Sequence, residues 1–197
     1  MSPELLMTSC VTASIELATL GRPNVAYIPQ SDILARANSS LRWPVCMVDP
    51  RTREEVRKQL VPDAMFGLEY KTAEASKFRF FAVEADRSTE PTTASTWNRK
   101  SFLRSLQQYE AYVAGGAYRT HLSLTAPLLV LTVGNDHRQM ERMIELTGTH
   151  YPAGNAFMLF QAWDDFGPVF RPPQPRAALL DESWSRSGLP PFRIDSP

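Results

Sequence analysis

LVPDAMFGLEY (residues 60–70) and FRFFAVEAD (residues 78–86) are two apolar runs separated by a short polar connection. The first run predicts a strand that begins at Asp63, and the second run predicts another strand. Because so few residues join them, we expect the two strands to pair antiparallel. This pair forms the centre of the predicted sheet.

Helical and extended patterns surround the central pair. The order of these elements predicts an α/β fold with a mixed sheet flanked by helices. The charged run 52–60 predicts either a short helix or a solvated loop. The other predicted elements are a helix at 3–20, a strand at 24–28, a helical turn or loop at 31–37, an extended segment at 43–48, the strongest helix at 97–114, a strand covered on both faces at 127–133, a helix at 137–147 and a strand at 156–163.

The chain has 197 residues, which is enough for one domain with a full core. Residues 1–166 are expected to form that domain. Seven of the sixteen prolines lie between Pro168 and Pro197, and this shift in composition predicts a proline-rich tail over 167–197. We expect the tail to drape over the domain or to dock a partner, and not to contribute to the core.

The chain carries 21 basic and 21 acidic residues, so its net charge is zero. Any surface that binds DNA must therefore be a local basic patch. Cys10 and Cys46 are too few for a zinc cluster or a disulfide framework. The N-terminus has no signal-peptide pattern, and no apolar run reaches the roughly 18 residues of a membrane span. We expect a cytoplasmic protein with no membrane partner.

Three carboxylates are predicted to converge on one face of the sheet. Side chains alternate along a strand, so Glu84 and Asp86 point to the same face, and Asp63 lies on the neighbouring strand. Such a cluster is tolerable when a cation or several hydrogen-bond donors offset the charge, and Mg²⁺ or Mn²⁺ accepts oxygen ligands of this kind. A metal-bound water could then attack a phosphodiester. The alternative is that these acids at strand ends are simply solvated.

VPD (61–63), FFAVEADR (80–87), Thr89 and a helix that ends in Tyr109 and Tyr112 follow one another along the chain. This order resembles the PD-(D/E)xK nuclease superfamily and, more closely, the replication-relaxation family of bacterial plasmids and mobile elements. The resemblance covers about residues 4–165. It implies a restriction-endonuclease-like fold and a DNA endonuclease or nicking factor that acts in plasmid, phage or transposon DNA processing.

The resemblance also implies roles for single residues. Asp63 and Glu84 would bind the metal, with Asp86 assisting. In the superfamily the position of Asp86 is often a lysine that positions the attacking water, and an acid cannot supply that positive charge. Lys100, on the following helix, is the candidate replacement, and an exposed helix lysine is the alternative interpretation.

The helix after the central strands carries two further patterns. Gln108 and Tyr112 are four residues apart and share one helix face, and a Q-x-x-x-Y element resembles RecB-like nucleases, in which it supports the site and the DNA. Simple packing is an equally good interpretation of this pair. A phosphate track is predicted from the basic residues Arg87, Arg99, Lys100 and Arg104.

Replication-relaxation proteins usually carry an N-terminal winged helix, and the first predicted helix here already belongs to the nuclease-like fold. A protein partner is therefore expected to supply DNA targeting, and a homodimer is the other assembly considered. A second hypothesis is a catalytically inactive accessory subunit that binds DNA or a protein, which the acid at Asp86 favours. A third is a small-molecule enzyme or structural protein of unrelated fold.

Overall fold

The structure, a computed structural model, describes residues 3–49, 52–87, 92–93, 101–164, 166 and 173–197. Within these ranges, no helix combines the length and the apolar character needed to cross a membrane. The elements in chain order are α1 (Pro3–Leu20), β1 (Val25–Pro29), α2 (Gln30–Ala37), β2 (Trp43–Val48), β3 (Glu55–Leu60), β4 (Ala64–Lys71), β5 (Ser76–Asp86), α3 (Phe102–Tyr109), a π-helical turn (Glu110–Ala114), α4 (Ala117–His121), β6 (Leu128–Gly134), α5 (His137–His150), β7 (Met158–Ala162), α6 (Ala178–Asp181), β8 (Trp184–Arg186) and β9 (Leu189–Phe192).

A mixed seven-stranded sheet forms the centre of the molecule, in the order β1-β4-β5-β6-β7-β8-β9. The pairs β1–β4 and β4–β5 are antiparallel, whereas β5–β6 and β6–β7 are parallel. Strand β5 therefore has an antiparallel neighbour, β4, on one side and a parallel neighbour, β6, on the other. All seven residues of β6 are buried, as expected for a parallel strand covered on both faces. The predicted α/β architecture with a mixed sheet between helices is confirmed.

Local signals fix the helices that follow β5 and β6. Ser101 caps α3, since its side chain accepts a hydrogen bond from the Arg104 amide. The Asp136 carboxylate caps α5 by accepting from the Arg138 amide at 2.8 Å and the Gln139 amide at 3.2 Å. Because both β5–α3–β6 and β6–α5–β7 join parallel strands, their right-handed crossovers place α3 and α5 on the same face of the sheet.

The C-terminal residues cover the other face of the sheet. The buried Tyr70 hydroxyl donates to the Ile194 carbonyl at 2.6 Å. Arg22, just after α1, bonds Asp181 of α6 and also Asp195, at 3.1 Å. These contacts bring α1, α6 and the chain end together. Stacked aromatic rings fill the same side of the sheet, with Phe66 and Phe81 centroids 5.0 Å apart.

Two expectations from the sequence are wrong. The charged run 52–60 contains strand β3, which pairs antiparallel with β2 to form a separate hairpin. The described part of the C-terminal segment, residues 173–197, does not stay outside the core. It adds β8 and β9 to the main sheet, and Trp184 and Ile194 are fully buried.

Candidate functional site

Asp63 and Glu84 lie side by side where β4 begins and β5 nears its end. Ala64 pairs with Val83, so one step further along the antiparallel register Asp63 stands opposite Glu84. Two hydrogen bonds hold this arrangement: the Asp63 amide donates to the Val83 carbonyl at 3.1 Å, and the Asp63 Oδ2 accepts from the Ala85 amide at 2.9 Å. Asp63 is exposed and Glu84 is half-buried, so the carboxylate pair is accessible from solvent on the Asp63 side.

Tyr109, at the end of α3, is the third member of the site. Its ring is fully buried and its hydroxyl donates a hydrogen bond to Glu84 Oε1. Burial holds the pKa of Tyr109 well above its ordinary value, and the charge on Glu84, the hydrogen bond to Glu84 and the charge on Asp63 raise it further. The hydroxyl therefore stays protonated at neutral pH and acts as a donor that orients the Glu84 carboxylate.

Asp86 and Arg87 continue β5 toward the ends of the parallel strands. Alternation places Asp86 on the same face as Glu84, and its carbonyl accepts from the Asn135 amide at 3.3 Å. The Arg87 guanidinium lies 5.5 Å from the Phe166 ring centroid and borders an open cavity of about 480 Å³. The cavity also carries Asp136 and Asp164, so its charges are mixed.

Among the residues that the structure describes, no group of three or more His, Cys, Asp and Glu side chains is placed to hold a metal ion. Asp86 as a third ligand stays a prediction. The pair Asp63 and Glu84 still suits a small hydrated cation, because Mg²⁺ keeps several waters and is commonly held by one or two carboxylates. The acceptor oxygens and the solvent access of Asp63 fit such an ion.

Gln108 and Tyr112 share a helix face as predicted, and that face turns toward the β2–β3 hairpin. Gln108 Nε2 donates to the Gln59 carbonyl of β3 at 3.0 Å. The Tyr112 hydroxyl lies 2.7 Å from His121 Nδ1, and Trp43 of β2 stacks on His121 with centroids 4.4 Å apart. In the described contacts both residues secure the hairpin and α4 to α3, next to the helix end that presents Tyr109.

The predicted basic track is only partly described. Arg104 lies in the first turn of α3, where it is half-buried with its Nε out of solvent. Thr89, Arg99 and Lys100 fall outside the described residues, so their predicted roles stay predictions.

From the sequence, Tyr109 was expected at the end of the helix, in line with the apolar residues Phe102 and Leu106, and its bond to Glu84 was not foreseen. The available signal was a hydroxyl within an otherwise apolar stripe, since a buried Tyr hydroxyl needs a partner. That partner becomes known only when the helix is docked on the sheet.

The arrangement presents two neighbouring carboxylates, and Tyr109 orients one of them. Comparisons with protein families, with curated proteins and with solved structures give no match for this chain.

Proposed function

We propose that this protein is a metal-dependent DNA endonuclease or nicking factor of the PD-(D/E)xK type, related to the replication-relaxation family. The observation that carries the proposal is the pairing of Asp63 and Glu84 across β4 and β5. A Pro-Asp entry into one strand and a Glu near the end of the next are the elements of the sequence resemblance. Their side-by-side placement is what a shared metal ligand pair requires.

In this proposal each residue has one task. Asp63 offers a solvent-accessible carboxylate to Mg²⁺ or Mn²⁺, and Glu84 offers a second one whose orientation Tyr109 fixes. The metal, when bound, would activate a water and stabilise charge on the phosphate. Lys100 would contact the water or the phosphate, and Arg87 and Arg104 would contact neighbouring phosphates.

The test compares nicking of supercoiled plasmid and cleavage of single-stranded DNA, with Mg²⁺ or Mn²⁺, by wild type and by an Asp63→Asn/Glu84→Gln variant. These substitutions keep an acceptor for the Ala85 amide and for the Tyr109 hydroxyl, so the fold should persist while the negative charges are lost. The matched control is Glu54→Gln/Glu55→Gln, at two exposed acids just before and at the first residue of β3.

Cleavage by wild type and the control, but not by the Asp63→Asn/Glu84→Gln variant, supports the proposal. Equal cleavage by all three proteins means that the activity comes from a contaminant or another site. No cleavage by any of the folded proteins argues against a nuclease.

A second candidate is an inactive accessory subunit that keeps the nuclease fold and binds DNA or a protein partner. Asp86 favours it, because the position that often supplies a catalytic lysine is acidic here. DNA binding by wild type without cleavage, unchanged in the Asp63→Asn/Glu84→Gln variant, would favour this function. Either function suits a cytoplasmic location, as does the unbridged state of Cys10 and Cys46.

A further inference from the structure

A second concave site lies on the same face of β5 as Glu84, toward the beginning of the strand. It is a cavity of about 290 Å³ between α2, the start of β5 and the loop 122–126. Phe80, in its wall, is four residues from Glu84, so the two lie roughly 13 Å apart along the strand at about 3.3 Å per residue. The cavity is therefore separate from the carboxylate pair.

Apolar groups form the body of this cavity. Its lining includes Ile28, Ile33, Phe78, Phe80 and Leu124. Phe78 is 42% exposed, so part of its ring is free to contact a ligand. Pockets for small molecules have this composition, mostly apolar with a few polar groups that fix orientation.

A glycine makes room for the ring of Phe80 against the sheet. Gly67 stands opposite Phe80 in the β4–β5 register. A Cβ at position 67 would lie 2.8 Å from the Phe80 ring and 3.2 Å from Ile28 Cβ. The position of the Phe80 ring in the cavity wall thus depends on residue 67 being a glycine.

The polar groups at the cavity favour a negative ligand. Arg36 makes no hydrogen bond or ion pair with the residues that the structure describes, and the hydroxyls of Ser123 and Thr125 are also available to donate. Among the described residues of the lining, Asp32 is the acid. It lies in the first turn of α2, where the helix dipole stabilises its negative charge, and it accepts a hydrogen bond from Ser31 Oγ at 3.1 Å. Asp32 thus has a hydrogen-bond partner within the protein, whereas Arg36 has none among the described residues and can bind the acidic group of a ligand.

The volume sets the size of that ligand. An apolar cavity of about 150 Å³ holds benzene. This cavity is nearly twice as large, which suits a one- or two-ring system and excludes a dinucleotide. We infer that the cavity between α2 and the loop 122–126 binds a small aromatic anion, with its rings against Phe78 and Phe80 and its acidic group on Arg36. This inference does not depend on the proposed nuclease function.

Three probes share an indole ring and differ in charge: indole-3-acetate, 3-methylindole and tryptamine. Affinities are measured by calorimetry, and the site is located by methyl NMR. The chain has five isoleucines, of which Ile28 and Ile33 line the cavity, so shifts should appear at these two and not at the other three. We expect indole-3-acetate to bind most tightly of the three.

Two variants separate the charge from the ring contact. Arg36→Gln should weaken indole-3-acetate about three- to fivefold and leave 3-methylindole unchanged, as for a partly exposed ion pair. Phe78→Ala should weaken all three probes about three- to tenfold. Both side chains are exposed, so neither change should unfold the protein. The control for loss of a positive charge is Arg57→Gln, on the exposed face of the hairpin, which should leave the affinity of all three probes unchanged.

Tightest binding of tryptamine would overturn the choice of an anion. Shifts outside Ile28 and Ile33, or no saturable binding of any probe by folded wild type, would overturn the site itself.

Discussion

Tyr109→Phe removes one hydroxyl from the core and leaves the ring in place. A hydrogen bond to a charged group contributes about 1.5–3 kcal/mol. Glu84 is half-buried, so water can replace part of the lost bond, and we expect the lower end, a loss of about 1.5–2 kcal/mol in the free energy of unfolding. With a urea m-value of about 2 kcal/mol/M, the unfolding midpoint falls by about 0.8–1 M.

Tyr70→Phe is the matched control, because Tyr70 is also buried and its hydroxyl donates to a neutral carbonyl, that of Ile194. It should cost about 1 kcal/mol. Urea unfolding of both variants, followed by circular dichroism, measures the difference. In a Glu84→Gln background the Tyr109→Phe change should cost about 0.5–1 kcal/mol less than in wild type, since the acceptor is then neutral. A loss for Tyr109→Phe no larger than that for Tyr70→Phe would refute the orienting role of the hydroxyl.

Two further outcomes follow from buried side chains. Burial lowers the pKa of His121, so the unfolded chain takes up its proton first and the free energy of unfolding declines as the pH falls below about 6.5. His121→Gln should therefore reduce the change in the urea unfolding midpoint between pH 5 and 7. The same pH dependence in this variant as in an exposed His137→Gln control would contradict the prediction. Trp184→Ala should cost about 3–5 kcal/mol in unfolding free energy because its ring is fully buried, whereas a loss below about 0.5 kcal/mol would mean that the C-terminal segment is not part of the core.

The parts of the fold with strong periodicity could be predicted from the sequence. Helix α1 and strand β2 have the predicted bounds, and the antiparallel β4–β5 pair follows from two apolar runs with a short connection. Strand β3 was not predicted because its exposed positions carry Glu55, Arg57 and Gln59. With so many polar residues in the run, the sequence shows no clear alternation of apolar and polar side chains, although exposed and half-buried positions do alternate in the structure. Its partner strand and the helix beneath it make the strand stable, and neither is visible in the local sequence.

The C-terminal segment was misjudged for a related reason. Prolines suggested an element outside the core, yet a strand at the edge of a sheet tolerates them because its outer amides need no partner. The tryptophan at position 184 was the sequence signal against a tail, and in the structure its side chain is fully buried.

In the candidate site, strand alternation together with the resemblance predicted that Asp63 and Glu84 lie close together, and the β4–β5 register places them side by side. The bond from Tyr109 depends on how α3 docks on the sheet, and the direction of the Gln108–Tyr112 face depends on where the hairpin lies. Both are tertiary contacts, and a helix periodicity gives the face of a residue but not the neighbour that the face meets.

Both outer strands of the main sheet contain proline. Strand β1 ends at Pro29, and β9 carries Pro190 and Pro191 in succession. A proline has no amide hydrogen, so β9 cannot offer a regular ladder of donors to an incoming strand. The β9 edge is thereby protected against sheet extension and amyloid-like stacking. A homodimer or a partner protein would have to attach through helices, the hairpin or loops and not by prolonging the sheet at β9.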